Sequence, residues 1–597
     1  MASKLSMKNN LNNELTITHS DDTLPITVDS VDLSKVITIN SLSDLKDKIG
    51  YGKHKPPTIW ISGYHTKGDN AFGSHIFEWD KNCTENHNGG TIIDLDADFP
   101  TDWTDGTQVN NWYNYGSVTS GRYKLKYNGA VNAKWFGAVG DGITDDTLAI
   151  QSAINSIKDT GTILIDGSVL VKDKIIIDSK NISLYGINDS IIEFSSNGGI
   201  EYTNFISYIN IENIIFKHLE IDTVDSNIPL LNIHKAFKIK ISSCSFLGND
   251  KREFGVTIGS DSTVWGSEFS NNHFGYCKNN VVIGGTGDAT HNIFINNTVD
   301  HAKNCGAIFC NPNGGLIKSN SFEHIEGTVG LAILSGYGNT PNKAKNITIE
   351  NNYILYVATD NNDDENSAGI IAGFDVPNTS YTSPDNCMNI NIINNNCVPT
   401  YTRYAIKTKM FVDCVITDNA ISSSQNTDTN DIYIKGEYGR YIINRNRNTN
   451  NGNYDKVYID GKSILKSEYS TNHDYNYKIP YKDVSYNIGN NSYEINRNFI
   501  VPIEVTNTSA NSSYTVFDRS KYSDVGVILL TFFGSQTNQS NEESVILTAD
   551  FENQAITTIA SNGANFFSFS IDSNGLYVTA NQDFHGSAMA ICTGNLW

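Results

Sequence analysis

Apolar and polar residues alternate at every second position through most of this chain, the spacing of strands that bury one face. TIWISGYH (58–65) and HIFEWD (75–80) read as short strands near the start. NITIENNYI (346–354) and NINIINNNC (389–397) read as strands further on, with Ile347, Ile349, Ile390 and Ile392 turned inward. One segment departs from this period. Leu148, Ile150, Ile154 and Ile157 form a helical stripe, which predicts a helix over 144–160 with Thr144 as its cap, Asp145 and Asp146 in its first turn and Gly161 as its stop. A lone amphipathic helix before hundreds of strand-like residues suits the open end of a solenoid core.

From about residue 162 to 465 the pattern repeats. Apolar anchors at Leu219, Phe246, Phe269, Val299, Phe322, Ile354, Cys397 and Ile421 are spaced by 27, 23, 30, 23, 32, 43 and 24 residues. The shortest spacings fit one rung of a parallel β-helix, and the longer ones fit a rung with an insertion. The pairs Asn351-Asn352 and Asn394-Asn395 suit the left-handed backbone of sharp corners. Residues 466–497 read as a connector. Beyond 498, FIVPIEV, VGVILLTFF, ESVILTADF, FFSFSI and GLYVTA alternate with Asn, Ser and Gly turns, the signature of a β-sandwich.

Composition narrows the function. Charged residues make up 18% and hydrophobic ones 39% of the 597 residues, so the chain can bury a large core. The net charge of −22 argues against nucleic acid as a partner, because such binding draws on Lys and Arg. The longest apolar run, Val525 to Phe533, falls short of the roughly 18–20 residues that cross a bilayer, and the polar start lacks the apolar centre of a signal peptide, so no membrane insertion is expected. Nine scattered cysteines without a CxxC pair predict buried, reduced thiols. Asp94, Asp96 and Asp98 have the one-three-five spacing of a calcium loop, but Phe99 replaces the needed glycine and Asp105 the bidentate glutamate, which leaves an acidic turn as the reading and no metal site. No cofactor is implied, since GDG lacks the Lys-Ser/Thr of a phosphate loop.

The stretch AKWFGAVGDGITDDTLAIQSAINSI (133–157), followed by the rungs, resembles the opening motif of pectate-lyase-like β-helices in bacteriophage tailspike depolymerases. The resemblance covers roughly residues 15–465. It implies an all-β chain built on a right-handed parallel β-helix, with a small N-terminal β-rich module and a C-terminal β-sandwich-like domain. Under it, residues 1–40 are a virion-attachment or linker segment, 41–130 an adaptor module, 131–465 the receptor-binding and catalytic β-helix, and 498–597 a domain for trimerisation or carbohydrate binding. It further implies a homotrimer joined to the phage tail or baseplate through its N-terminus. Such a protein is assembled in the host cytoplasm, carried on the virion and directed at bacterial surface polysaccharide.

The chemistry has to be sought locally. Glycosidic hydrolysis needs two carboxyl groups, one protonated and one ionised. Asp300 and Glu323 each lie one residue past an anchor, with His301 and His324 next to them, which predicts outward carboxylates stacked on neighbouring rungs. The bland alternative is a solvated acidic edge. Glu326 is a second candidate acid, paired with Asp360 or Asp375 on insertion-bearing rungs. Asp363, Asp364 and Glu365 lie in the same loop region and read as a solvated tip. Tyr401, Arg403, Tyr404 and Lys407 are candidate substrate contacts, rings for sugar faces and cations for acidic substituents, or simply cover for a β surface. Three functions stay open on these residues: a capsule or O-antigen glycosidase, a lyase in which His301, His324, Tyr404 or Lys407 takes a proton beside a uronate carboxyl, and a binding-only spike.

Overall fold

A computed structural model describes residues 36–459, save 50–54, 70–74, 261–262, 360–366, 411, 422–429, 437–438, 445 and 449–456, together with strands on either side of that stretch. The chain forms two compact units, Met1–Cys310 and Asn311–Trp597.

The first unit opens with a five-stranded sheet in the order Val36–Ile39, Thr58–Ile61, His75–Asp80, Arg122–Leu125, Ile92–Ile93. The first pair is parallel and the others antiparallel. Two helices accompany it, α1 (Leu45–Ile49) and α2 (Gly106–Tyr113), neither of which the apolar period announces. Asp105, expected as part of an acidic turn, caps α2 by accepting from the Thr107 and Gln108 backbone N–H groups. Asp94 is buried and pairs with the equally buried Arg122 at 3.2 Å. Among the described residues no cluster of three or more His, Cys, Asp or Glu side chains could hold a metal ion.

The 133–157 motif works as a joint. Gly137 lies at φ 90°, and a Cβ there would stand 2.4 Å from the Tyr64 ring, so glycine alone lets this turn close on the module. Tyr64 donates to the Gly89 carbonyl at 2.6 Å and accepts from Trp112 Nε1 at 2.8 Å. The expected helix is α3, Thr147–Ser156, shorter than 144–160. Thr144 does not cap it: the residue lies in the strand Asp141–Asp145 and its hydroxyl donates to Asp141 at 3.0 Å. Asp146 holds the N-cap place, yet its carboxylate turns back to accept from the Val139 and Gly140 N–H groups at 2.7 and 3.2 Å, and no acidic residue lies in the first turn. Ala149, Ile150, Ala153 and Ile154 are buried, and the Gln151 amide pairs with both the N–H and the carbonyl of Ile176, closing the edge of the first rung.

Parallel pairing then carries the chain from Thr160 to Cys310 as a β-helix: Thr160–Val171 pairs with Asn181–Phe194, Gly199–Ser207 with Leu231–Phe237, and Ser245–Ile258 with His273–Ile283. Two of the proposed anchors are out of register. Leu219 follows the strand Ile215–His218, and Phe216 fills the inward position in its place. Phe269 is buried but pairs with Ile241 and Phe294, whereas Phe246 pairs with Phe274 and Phe274 with Val299. The short strands on either side of each corner have the same apolar-polar pattern, so alternation alone does not separate them. The resulting column Phe194, Phe216, Phe246, Phe274 stacks its rings within 7° of parallel, with centroids 6.4, 4.7 and 5.3 Å apart.

The second unit holds a β-helix of the same construction. Pro312–Lys318 pairs with Lys345–Glu350, which pairs with Met388–Ile393, and the anchors Phe322, Ile354, Cys397 and Ile421 are in register and buried. Asn351 and Asn394 take the left-handed conformation expected of them, at φ 56° and 55°. Asn352 and Asn395 do something else: they are buried in a ladder that runs Asn320, Asn352, Asn395, Asn419, Asn446. Each backbone N–H and each side-chain amide donates to the side-chain oxygen of the next asparagine, at 2.8–3.1 Å. Two antiparallel sheets, of five and three strands, follow between Asn498 and Thr593. The described cysteines are buried, and none of them is in a disulfide.

Candidate functional site

In the first unit the strands His273–Ile283 and Thr298–Asp300 lie side by side, with Gly275 opposite Asp300. A Cβ on Gly275 would come within 2.4 Å of an Asp300 carboxylate oxygen, so the missing side chain is what makes room for that carboxylate. Asp300 is half-buried and held from both sides. His273 Nε2 lies 3.0 Å from Oδ2 and His301 Nδ1 3.5 Å from Oδ1. The Asn280 amide donates to the Asp300 carbonyl at 2.6 Å, fixing the backbone beneath. Burial pushes the Asp300 carboxyl up, but the hydrogen bond and charge of His273, with His301, outweigh it and hold the group below the usual carboxylate range. Asp300 is therefore an ionised group at neutral pH, suited to accept a proton or to fix an imidazole tautomer, and not to donate a proton.

Beside this carboxylate is a column of left-handed residues. Tyr276 and His301 have φ of 59° and 48°, and their rings stack at 4.5 Å within 9° of parallel. Tyr276 stays exposed. A related pairing occurs in the second unit, where His324 and Tyr356 sit at φ 52° and 53° with ring centroids 5.0 Å apart, tilted by 38° instead of stacked. Glu323 precedes His324 on the strand Ser321–Ile325, opposite Leu355, and accepts from the Ser321 hydroxyl. Glu326 is half-buried just past that strand.

The remaining candidates scatter within the second unit. Asp375 is exposed in the turn after Ala368–Ala372 and accepts from the Ser383 N–H at 2.7 Å. Lys407, expected at the surface, is only 5% exposed, its ammonium 4.6, 4.9 and 5.5 Å from the ring centroids of Phe374, Tyr404 and Tyr433. That cage of rings stabilises the charge in place. Tyr404 is buried with it, Tyr401 is exposed, and the Arg403 N–H donates to the Ser367 hydroxyl at 2.9 Å. Asp360, Asp363, Asp364 and Glu365 lie outside the described residues.

His273 is the group that sequence reasoning missed. With Phe269 taken for the anchor, His273 has no obvious place. With Phe274 as the anchor it falls one residue before an inward position, on the outer face, and Gly275 falls opposite Asp300. A second half-buried carboxylate in the first unit also escaped notice: Glu201, 2.7 Å from both Lys174 and His234. Burial raises its pKa, and the hydrogen bonds and charges of Lys174 and His234 more than reverse the rise, so it too is held below the usual range.

No family model matches the chain and no curated protein matches it. Among solved structures it is similar to the tailspike protein of Acinetobacter baumannii phage AM24, at 11% identity over 90% of this chain and 92% of that one, with a TM-score of 0.41. Tailspike protein 2 of Escherichia coli O157:H7 bacteriophage CAB120 is 13% identical over 92% of this chain and 72% of that one, with a TM-score of 0.46. A tailspike of Acinetobacter baumannii bacteriophage Fri1, a capsular polysaccharide depolymerase, is 14% identical over 94% and 98%, with a TM-score of 0.32. Identities this low leave the chemistry of the site to be argued from this chain's own residues.

Proposed function

We propose that this chain is a phage tailspike that binds and hydrolyses bacterial surface polysaccharide, capsule or O-antigen. The observation that carries this reading is Asp300: a half-buried carboxylate kept ionised on the flank of a rigid β-helix, next to an exposed ring that can lie against a sugar. In hydrolysis the ionised carboxylate draws a proton from water as the water oxygen bonds to the anomeric carbon, while a proton donor protonates the departing glycosidic oxygen. In the first unit the group placed to supply that proton is His301, whose Nδ1 lies 3.5 Å from the carboxylate. In the second unit Glu323 and Glu326 form a separate acid and base, with Asp375 as a further candidate. The homotrimer, the attachment to the phage tail or baseplate through the N-terminus, the assembly in the host cytoplasm and the action at the host surface belong to the same proposal. No helix among the described residues is long and apolar enough to cross a membrane.

New reducing ends released from host polysaccharide test the reading. Asp300→Asn is expected to abolish their release, and so is the double variant Glu323→Gln/Glu326→Gln if the second unit holds the chemistry. Full activity in both variants overturns the assignment, and no release by the unaltered protein overturns hydrolysis.

The contact between His273 and Asp300 favours a second reading. An imidazole whose Nε2–H is held by a carboxylate presents Nδ1 as a base. It would take the proton beside a uronate carboxyl, the electrons forming a carbon–carbon double bond as the glycosidic oxygen leaves. An unsaturated product absorbing in the ultraviolet would replace hydrolysis with this elimination.

A further inference from the structure

A different corner of the first unit's β-helix carries its own pattern of groups. There the strands Gly199–Ser207, Leu231–Phe237 and Val264–Trp265 stack in register, with Phe205 opposite Lys235 and Phe237 opposite both Ser207 and Trp265. Phe205 is 49%, Tyr208 68% and Trp265 44% exposed, large values for aromatic side chains on a structure with an ample core. Tyr208 and Phe237 meet edge to face at 5.5 Å, as do Phe237 and Trp265 at 6.4 Å, so the rings form a continuous strip across three rungs. Their Cα atoms climb by about 4.8 Å per rung, close to the rise of one sugar residue along an extended glycan.

The lysines on this strip differ from most others of this β-helix. Elsewhere on the same β-helix Lys174, Lys217, Lys240, Lys251 and Lys278 each have a carboxylate within 4 Å. Among the described residues Lys235 and Lys238 have none. Lys235 Nζ lies 5.8 Å from the Phe205 ring centroid, and Lys238 Nζ 5.7 Å from Tyr208 and 5.2 Å from Phe237. Two cations with no carboxylate within 4 Å, set over exposed rings on a chain of net charge −22, give this strip a positive element that an anion can meet. A neutral sugar would use the rings and ignore the cations. A nucleic acid would be repelled by the surrounding charge. A glycan bearing carboxylates uses both groups: pyranose faces on the rings, carboxylates on Lys235 and Lys238.

We propose that this strip is a docking track for an acidic polysaccharide, separate from the groups around Asp300. The inference rests on the polysaccharide reading above and adds the substrate class, a uronate-bearing glycan. The probe is polygalacturonate, with its carboxyl-reduced polymer as the neutral counterpart, in affinity electrophoresis of the full chain. Polygalacturonate is expected to retard the protein and the reduced polymer to retard it far less. Trp265→Ala and the double variant Lys235→Gln/Lys238→Gln should each weaken the retardation about tenfold. Asp300→Asn should leave retardation unchanged while it stops cleavage, so a failure of the catalytic assignment and a failure of the track give different results. The track is overturned if polygalacturonate does not retard the protein, if the lysine variant is retarded as strongly as the parent, or if the Trp265 variant changes only the sedimentation mass, which would make the strip a contact between copies.

Discussion

The β-helix of the first unit is centred on a stack of phenylalanines, and that of the second on a ladder of asparagines. Both are vertical columns of one residue type, buried throughout save for Asn446 at the end of the ladder, yet they work by different physics. The rings of Phe194, Phe216, Phe246 and Phe274 gain from burial and dispersion, which are non-directional and tolerate shifts of a few tenths of an ångström. Asn320 through Asn446 gain from hydrogen bonds that demand one geometry, and an unmet donor or acceptor on the buried members, Asn320 to Asn419, has no water to turn to. The first column supplies bulk stability and the second fixes the register of the rungs. The first unit holds a short piece of ladder too, Asn272 to Asn297, at the corner between its short strands.

Substitutions can sharpen this contrast or erase it. The largest effect is expected from Phe246→Ala, a loss of about 3–5 kcal/mol in denaturant unfolding, with Phe246→Leu recovering most of it. Asn395→Ala strips the acceptor from the Asn352 N–H and amide and the donor from the Ile349 carbonyl, and should cost about 2–3 kcal/mol. Here Asn395→Leu should do no better than alanine; if it recovers stability as leucine does at Phe246, the two columns are not different in kind.

Neither column titrates, so acid sensitivity should come from elsewhere. Burial pushes the His87 imidazole down to about 4 from its ordinary 6.5. A folded pKa below the unfolded one means that the unfolded chain binds the proton first, so stability is lost as pH falls from 6.5 towards 4, by about 2 kcal/mol at pH 5. His87→Phe should flatten that slope, while the deficit of Asn395→Ala stays the same at pH 5 and pH 7. The smallest effect on stability is expected from the outer column: Tyr276→Ala should change unfolding by no more than about 0.5 kcal/mol while lowering the release of reducing ends. A large stability loss there would make Tyr276 a structural residue.

Much of this architecture was legible because a rung repeats its own pattern. Phe322, Ile354, Cys397 and Ile421 were placed in register from alternation and spacing alone. Phe269 was not, because two short strands per rung carry the same apolar-polar signal and periodicity cannot tell which corner a residue follows. That one shift hid His273 and the role of Gly275, and with them the setting of Asp300. Helix α2 was missed because its eight residues hold only Val109, Trp112 and Tyr113 as a buried face, too few for a period to emerge. Thr144 looked like a cap because Thr-Asp-Asp suits one, but Asp141 claims its hydroxyl and the helix starts three residues later. Lys407 looked like a surface cation, and only the fold brings Phe374 and Tyr433 around it.

The asparagine ladder passes from Asn320 to Asn352 over 32 residues, from Asn352 to Asn395 over 43 and from Asn395 to Asn419 over 24, and makes the same bonds at each step. A rung's contribution to the spine is thus indifferent to how much chain hangs from it. Segments grafted between rungs, or trimmed from them, leave the spine's accounts unchanged, so such a scaffold can trade its outward loops for new ones without relearning how to fold.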